Sequence, residues 1–194
     1  MGTVSGSSAL FLGDCGECED GSGGLDVPSQ CWLHPGVGVE PSPIEGLGLF
    51  ARARLRAGEV VARLGGTVVG EDELRCALKE RAVDPSVPYV DTISLNGNRH
   101  LILPPGNLVR FGNHSCNPNL WWLDSLTLGA RRNIEVGEEV TTDYATSTAV
   151  ADFRMTCSCG SENCRHVITG QDWKLETLRT AYGAHWTAAL LARF

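Results

Sequence analysis

The stretch Asn113-His114-Ser115-Cys116-Asn117-Pro118-Asn119 constrains this chain more than any other, because two further motifs stand behind it in a set order. Gly137-Glu138-Glu139-Val140-Thr141-Thr142-Asp143-Tyr144 comes next, then Cys157-x-Cys159-x4-Cys164. A polar loop, a tyrosine and several thiols are thus brought close together in sequence. The rest of the chain reads as short strands divided by turns, with 23 glycines. Gly48-Leu49-Phe50-Ala51 is a short apolar strand. Glu59–Leu64 and Thr67–Val69 flank Gly65-Gly66, a hairpin signature, and a second hairpin is expected around Asn96-Gly97. Leu126–Ile134 and Glu139–Thr142 read as further strands. Glu71–Arg81 reads as a helix, with acids in its first turn, Leu74 and Leu78 on one face and Lys79 and Arg81 at its end. Cys76 lies beside those leucines and reads as core. Asp172–Tyr182 and His185–Leu191 form a C-terminal helical segment broken at Gly183. Strands do not alternate with helices, so a doubly wound sheet is disfavoured and a mixed, mainly β fold is expected.

Composition narrows the function classes. No run of 18 apolar residues exists, and the start lacks the basic and apolar regions of a secretory signal. A cytoplasmic protein is expected, or a nuclear one in a eukaryote, with thiols kept reduced. Eight cysteines then point to metal or chemistry before disulfides. Of the net charge of −7, five acids (Asp14, Glu17, Glu19, Asp20, Asp26) fall in residues 1–31, which carry no Lys or Arg. The remainder is close to neutral, which argues against direct nucleic-acid binding and fits weakly with a basic protein segment as partner. Residues 1–32 read as an acidic Gly/Ser-rich disordered tail, in which Cys15-x-x-Cys18 has no adjacent strand–helix pattern and reads as surface thiols.

Several residues carry candidate chemistry. Cys157, Cys159 and Cys164 supply three of the four ligands that a structural zinc needs. For the fourth, Cys15, Cys18, Cys31, Cys76 and Cys116 compete. Gly46-Leu47-Gly48 is a GxG before a strand, where missing Cβ atoms let backbone approach a ligand; alone it is a common turn. Asn113 both donates and accepts, which suits the amino-acid end of a ligand, although taken alone Asn113-His114 is a polar turn bonded to itself.

In this order the motifs resemble the SET-domain protein lysine methyltransferases with a zinc-binding post-SET segment. The resemblance runs from about Pro41 to Trp173. It implies a fold of several short sheets, β-clip-like, in which the Asn113 loop and the Tyr144 segment meet as a pseudoknot. It implies a SET domain over 33–150, a post-SET zinc segment over 151–172 and a C-terminal helical segment over 173–194. The cofactor implied is S-adenosyl-L-methionine, bound by Gly46, Leu47, Gly48, Asn113 and His114, with Trp173 as a lid. Tyr144 matches the catalytic tyrosine, and Tyr89 and Thr142 would line the lysine channel. The resemblance selects Cys116 as the fourth zinc ligand with Cys157, Cys159 and Cys164. Thr142 departs from the Phe or Tyr usual at that position and leaves room for more than one methyl group. The compact core with its Val167–Trp173 tail is similar to bacterial single-domain members. The implied substrate is a protein with an exposed lysine. Two readings of other classes remain: a non-catalytic zinc-stabilised protein-binding module, and a thiol redox protein using Cys15 and Cys18.

Overall fold

Short apolar runs cut by glycine turns fold into four small antiparallel sheets among the described residues. The structure is a computed structural model and describes residues 26–84, 86 and 88–194. The Cys15-x-x-Cys18 pair lies outside the described residues. The first sheet orders β1 (Trp32–Leu33), β4 (Val60–Arg63), β9 (Thr127–Ala130) and β8 (Leu120–Trp122) as β1-β4-β9-β8. The second orders β10 (Glu139–Val140), β3 (Leu47–Ala51) and β2 (Val37–Pro41) as β10-β3-β2. In the third, β5 (Thr67–Gly70), β7 (Arg99–Ile102) and β6 (Thr92–Ser94) stand in the order β5-β7-β6. The fourth pairs β11 (Arg154–Thr156) with β12 (Val167–Thr169).

The hairpin expected at Asn96-Gly97 forms, with Ser94 opposite His100. The one expected at Gly65-Gly66 does not: β4 joins the first sheet and β5 the third. The two glycines serve close approach instead. A Cβ on Gly65 would lie 2.2 Å from Gln30 O, and Gly66 sits at φ +147 with its Cβ direction 2.0 Å from Ile102 O. Only glycine lets the chain cross between sheets there. Residues 26–32, expected in the tail, pack on the domain: Gly66 N donates to Pro28 O and Trp32 pairs with Arg63.

The helix α1 spans Glu71–Val83, and the Gly70 N–H donates to Glu73 Oε2 at its start. Leu74 is its buried residue, whereas Leu78 and Cys76 are exposed. The core position expected for Cys76 is thus corrected: a helix this rich in charge buries one narrow stripe. At the C-terminus a 3-10 turn, Asp172–Lys174, leads into α2 (Glu176–Tyr182), and Gly183 at φ 54 breaks it before α3 (Ala188–Leu191).

Leu55, Val61, Leu101, Ile134 and Val140 form the centre of the main core, each fully buried. Burying such side chains stabilises by about 1.5–3 kcal/mol each. A second cluster gathers Cys116, Cys157 and Ile168 with Tyr144 and Phe153. A third packs Tyr182, Trp186 and Leu190 against Trp173. Among the described residues no helix is long and apolar enough to cross a membrane.

Candidate active site

The order of the motifs has a backbone cause. Thr142 N donates to Asn113 O at 3.1 Å and Ser115 N to Thr142 O at 2.9 Å, so the two segments run parallel with His114 bridged to Thr142. Asn119 closes the far end: its Oδ1 accepts from Thr141 N at 2.9 Å and its Nδ2 donates to Glu139 O at 2.9 Å. Both polar ends of the Asn113–Asn119 loop are therefore spent on the Glu139–Thr142 segment.

Asn113 also reaches the glycine loop. Its Nδ2 lies 2.7 Å from Glu139 Oε1, 3.1 Å from Leu47 O and 3.2 Å from Glu45 O. Among the described residues no donor meets its Oδ1, which is left to accept from a ligand ammonium. Ser42 Oγ donates to the same Glu139 carboxylate at 2.8 Å. Gly46 turns the chain at φ 51. Gly48 has a further constraint beside the ligand approach expected: a Cβ there would stand 2.2 Å from Glu139 Oε1. Gly48→Ala should push that flexible carboxylate off Asn113 at small cost to stability. Affinity for the S-adenosylmethionine that the resemblance implies is expected to fall about 10-fold, the worth of one charge-assisted hydrogen bond. Calorimetry beside a melting curve checks this.

Tyr144 lies two residues after Thr142 and opens the 3-10 turn Tyr144–Thr146. Its backbone N donates to His114 Nδ1 at 3.1 Å and its hydroxyl donates to Gly112 O at 3.0 Å. The phenol lone pairs stay available to accept. Burial, with the carboxylate of Glu45 adding to it, pushes the phenol up to about 12, so it is neutral at pH 7. His114 is buried and held down to about 4, chiefly by that burial. Its neutral ring accepts at Nδ1, so the proton sits on Nε2, which faces Cys116 Sγ at 3.4 Å.

A cavity of about 730 Å³ opens beside the phenol, with Thr142, Phe153, Asp91 and Tyr89 also in its wall. Tyr89 is 61% exposed and sits at the rim, with the Arg110 guanidinium 5.6 Å from its ring centre. Phe153 is a wall residue that sequence reasoning missed; an aromatic nine residues after a site tyrosine carries no signal of its own.

The four cysteines selected by resemblance converge. The Sγ atoms of Cys116, Cys157, Cys159 and Cys164 all lie within 4.8 Å of one another. Cys116 and Cys157 are 3.9 Å apart, close to the S–S edge of about 3.8 Å that a tetrahedron of ~2.3 Å Zn–S bonds would give. Backbone N–H groups donate to the sulfurs: Arg165 N to Cys116 at 3.3 Å, Cys116 N to Cys159 at 3.5 Å and His166 N to Cys164 at 3.3 Å. Burial opposes ionisation of Cys159, yet hydrogen bonds from Ser161 and the Cys116 N–H pull it down to about 6. Burial pushes Cys116 up to about 11 and raises Cys157 further. Four clustered sulfurs with donor support, of which the buried ones resist charge unless a cation is present, fit a tetrahedral thiolate metal site.

Trp173, expected as a lid, packs against the C-terminal aromatic cluster. It stacks with Phe194, ring centres 6.3 Å apart, beside Tyr182 and Trp186, with Arg179 5.6 Å from its ring. Sequence reasoning also missed a buried charge cluster. The Arg165 guanidinium grips both oxygens of Asp143 at 2.7 Å and donates from Nε to Asp172 at 3.0 Å. Tyr182 donates to Asp143 Oδ2 at 2.8 Å. The signal in sequence was faint: a charged residue on either side of a motif, Asp143 before Tyr144 and Arg165 after Cys164.

Comparison with known proteins turns this geometry into a family assignment. The family model for the SET domain matches residues 46–145. The chain belongs to the SET domain family. The match covers the glycine loop, Asn113 and Tyr144, and ends before the cysteines at 157–164. Among curated relatives, mouse histone-lysine N-methyltransferase NSD3 is 32% identical over 70% of this chain, which spans 10% of that protein. Probable histone-lysine N-methyltransferase set-23 of Caenorhabditis briggsae is 31% identical over 64% of this chain and 56% of its own length. The chain thus spans about half of the one relative and a tenth of the other. The methyltransferase domain of human SETMAR superposes with a TM-score of 0.53 at 24% identity, over 69% of this chain and 58% of that one. The mixed, mainly β SET fold is shared with it.

Proposed function

We propose that this SET domain protein is an S-adenosylmethionine-dependent methyltransferase acting on lysine side chains of a protein. The observation that carries the reading is the Tyr144 hydroxyl, neutral, anchored on Gly112 O and exposed to a cavity beside the Asn113 loop. The cofactor, when bound, supplies a methyl group on a cationic sulfur, which an amine accepts by in-line displacement. Glu45–Gly48 backbone, Asn113 and His114 are the residues that would hold it.

What the chain itself must do is desolvate and align. A lysine with a reference pKa of about 10.4 arrives protonated. A cavity wall of Phe153, Thr142 and Tyr144 disfavours the ammonium form, and water carries the proton off without a strong base. Because the Tyr144 hydroxyl spends its hydrogen on Gly112, its lone pairs are free to accept from the amine N–H and aim the nitrogen lone pair. The relatives' names make histones the first proteins to try.

Zinc on Cys116, Cys157, Cys159 and Cys164 is proposed as structural, tying the segment after residue 150 to the loop that carries Asn113. Thr142, half-buried in the cavity wall, leaves space where the family usually has an aromatic. Products beyond monomethyl-lysine are expected in a time course read by mass spectrometry. Monomethyl-lysine alone at long times would contradict this.

Calorimetric titration of zinc-assayed protein with S-adenosylmethionine tests the reading. One-site binding, lost in Asn113→Ala and kept in Tyr144→Phe, is expected. No binding by folded, metal-loaded protein favours the non-catalytic module instead.

A further inference from the structure

Asp143 is held by four side-chain hydrogen bonds and has no part in the chemistry above. Its side chain is wholly buried, yet it carries a carboxylate. Four donor atoms from three residues close on it. Arg165 Nη1 and Nη2 donate to its two oxygens at 2.7 Å each, Tyr182 Oη donates at 2.8 Å, and the Ala145 N–H donates at 3.0 Å. The last of these caps the 3-10 turn Tyr144–Thr146, so Asp143 shapes the very turn that carries the phenol.

Arg165 faces three ways. Its guanidinium holds Asp143 and Asp172, while its backbone N–H donates to Cys116 Sγ. Asp172 is itself fixed by Thr169 Oγ1 at 2.6 Å. The segment from Cys157 to Tyr182 is thereby locked to the residue before Tyr144 by a planar fork with directional bonds. A buried ion pair of this kind is weak evidence for stability, since an apolar set of equal volume does as well. Its geometric effect is stronger: two parallel bonds leave the carboxylate one orientation. That orientation sets the turn, and the turn sets where the Tyr144 hydroxyl stands relative to Gly112 O, 3.0 Å away.

We propose that Asp143 and Arg165, assisted by Tyr182, are a positioning pair for Tyr144, through which the C-terminal segment sets the alignment of the phenol for methyl transfer. The proposal rests on the lysine methyltransferase reading. Arg165→Lys keeps the charge and removes the fork, because an ammonium cannot present two parallel donors to Asp143 while holding Asp172. Tyr182→Phe removes one hydroxyl and leaves both charges paired.

The test is a double-mutant cycle on steady-state methyl transfer to a lysine peptide that the wild type labels, taken from a peptide library. Arg165→Lys is expected to lower kcat about 10-fold with KM and cofactor affinity within about twofold, the pattern of lost transition-state alignment. Tyr182→Phe is expected to lower kcat about threefold. In the Tyr144→Phe background both effects should shrink below about twofold, because their target has gone. Metal content should equal that of wild type throughout. Equal losses in both backgrounds, or a loss confined to KM or melting temperature, would overturn the proposal and leave the methyltransferase reading standing. A folded wild type that labels no lysine peptide sinks that reading and this proposal with it. If Arg165→Lys does not fold, Tyr182→Phe decides by the same criteria.

Discussion

Replacing Tyr144 by Phe is expected to lower kcat about 100-fold while leaving S-adenosylmethionine affinity unchanged, the scale of losing one preorganised group or misplacing a reactant by ~1 Å. The hydroxyl bonds to Gly112 O and contributes little to packing, since the ring stays in the cluster of Cys116, Cys157 and Ile168. The loss should therefore appear in turnover, with a melting temperature within about 4 °C of wild type, as for a ΔΔG of under ~1 kcal/mol. An unperturbed kcat would mean that the amine is aligned by something else in the cavity. A collapse of cofactor binding would mean that the phenol serves the loop at Gly112, not the transfer.

Removing the metal should have the largest effect on the fold. One zinc per chain is expected by elemental analysis. Stripping it, or Cys157→Ser, leaves sulfurs crowded within 4.8 Å of each other with nothing between them. The cluster that would have to hold in its absence is small: Cys116, Cys157 and Ile168 as buried members. Structural zinc contributes on the order of 10 kcal/mol in small domains. Loss of even ~4 kcal/mol lowers the melting temperature by about 8–16 °C at this chain length. Cofactor binding should weaken in parallel, because Cys116 belongs to the loop that presents Asn113 and its backbone O accepts from Asn163 Nδ2 at 3.0 Å. A metal-free protein that melts like the isolated one would contradict the metal reading and leave four reduced thiols.

The parts of this site legible in sequence are those whose chemistry is local. Asn113, Tyr144 and the three clustered cysteines could be named because side-chain type and order survive without knowledge of the fold. Thr142 was legible as a departure for the same reason. Strand partners were not. Gly65-Gly66 signals a tight or close backbone passage, but not whether the next strand folds back or crosses to another sheet; here it crosses, because Gln30 and Ile102 occupy the space a side chain would need. The α1 pattern promised a core face for Cys76 and Leu78, but only Leu74 is buried there. Trp173 had two environments open to it in sequence, a lid and a packed helix start, because spacing does not report its partner, which is Phe194. The Asp143–Arg165–Tyr182 set was invisible because its members lie 22 and 39 positions from Asp143. Neither charge periodicity nor motif spacing reports on contacts of that range.

The most direct test of the central claim uses S-adenosylmethionine carrying a deuterated methyl group, a library of lysine-containing peptides and core histones, and tandem mass spectrometry. Label on lysine Nε with wild-type protein, and its near loss with Tyr144→Phe, is the predicted result. Label on another residue type, label undiminished in Tyr144→Phe, or no label on any peptide or histone from metal-loaded protein would contradict it.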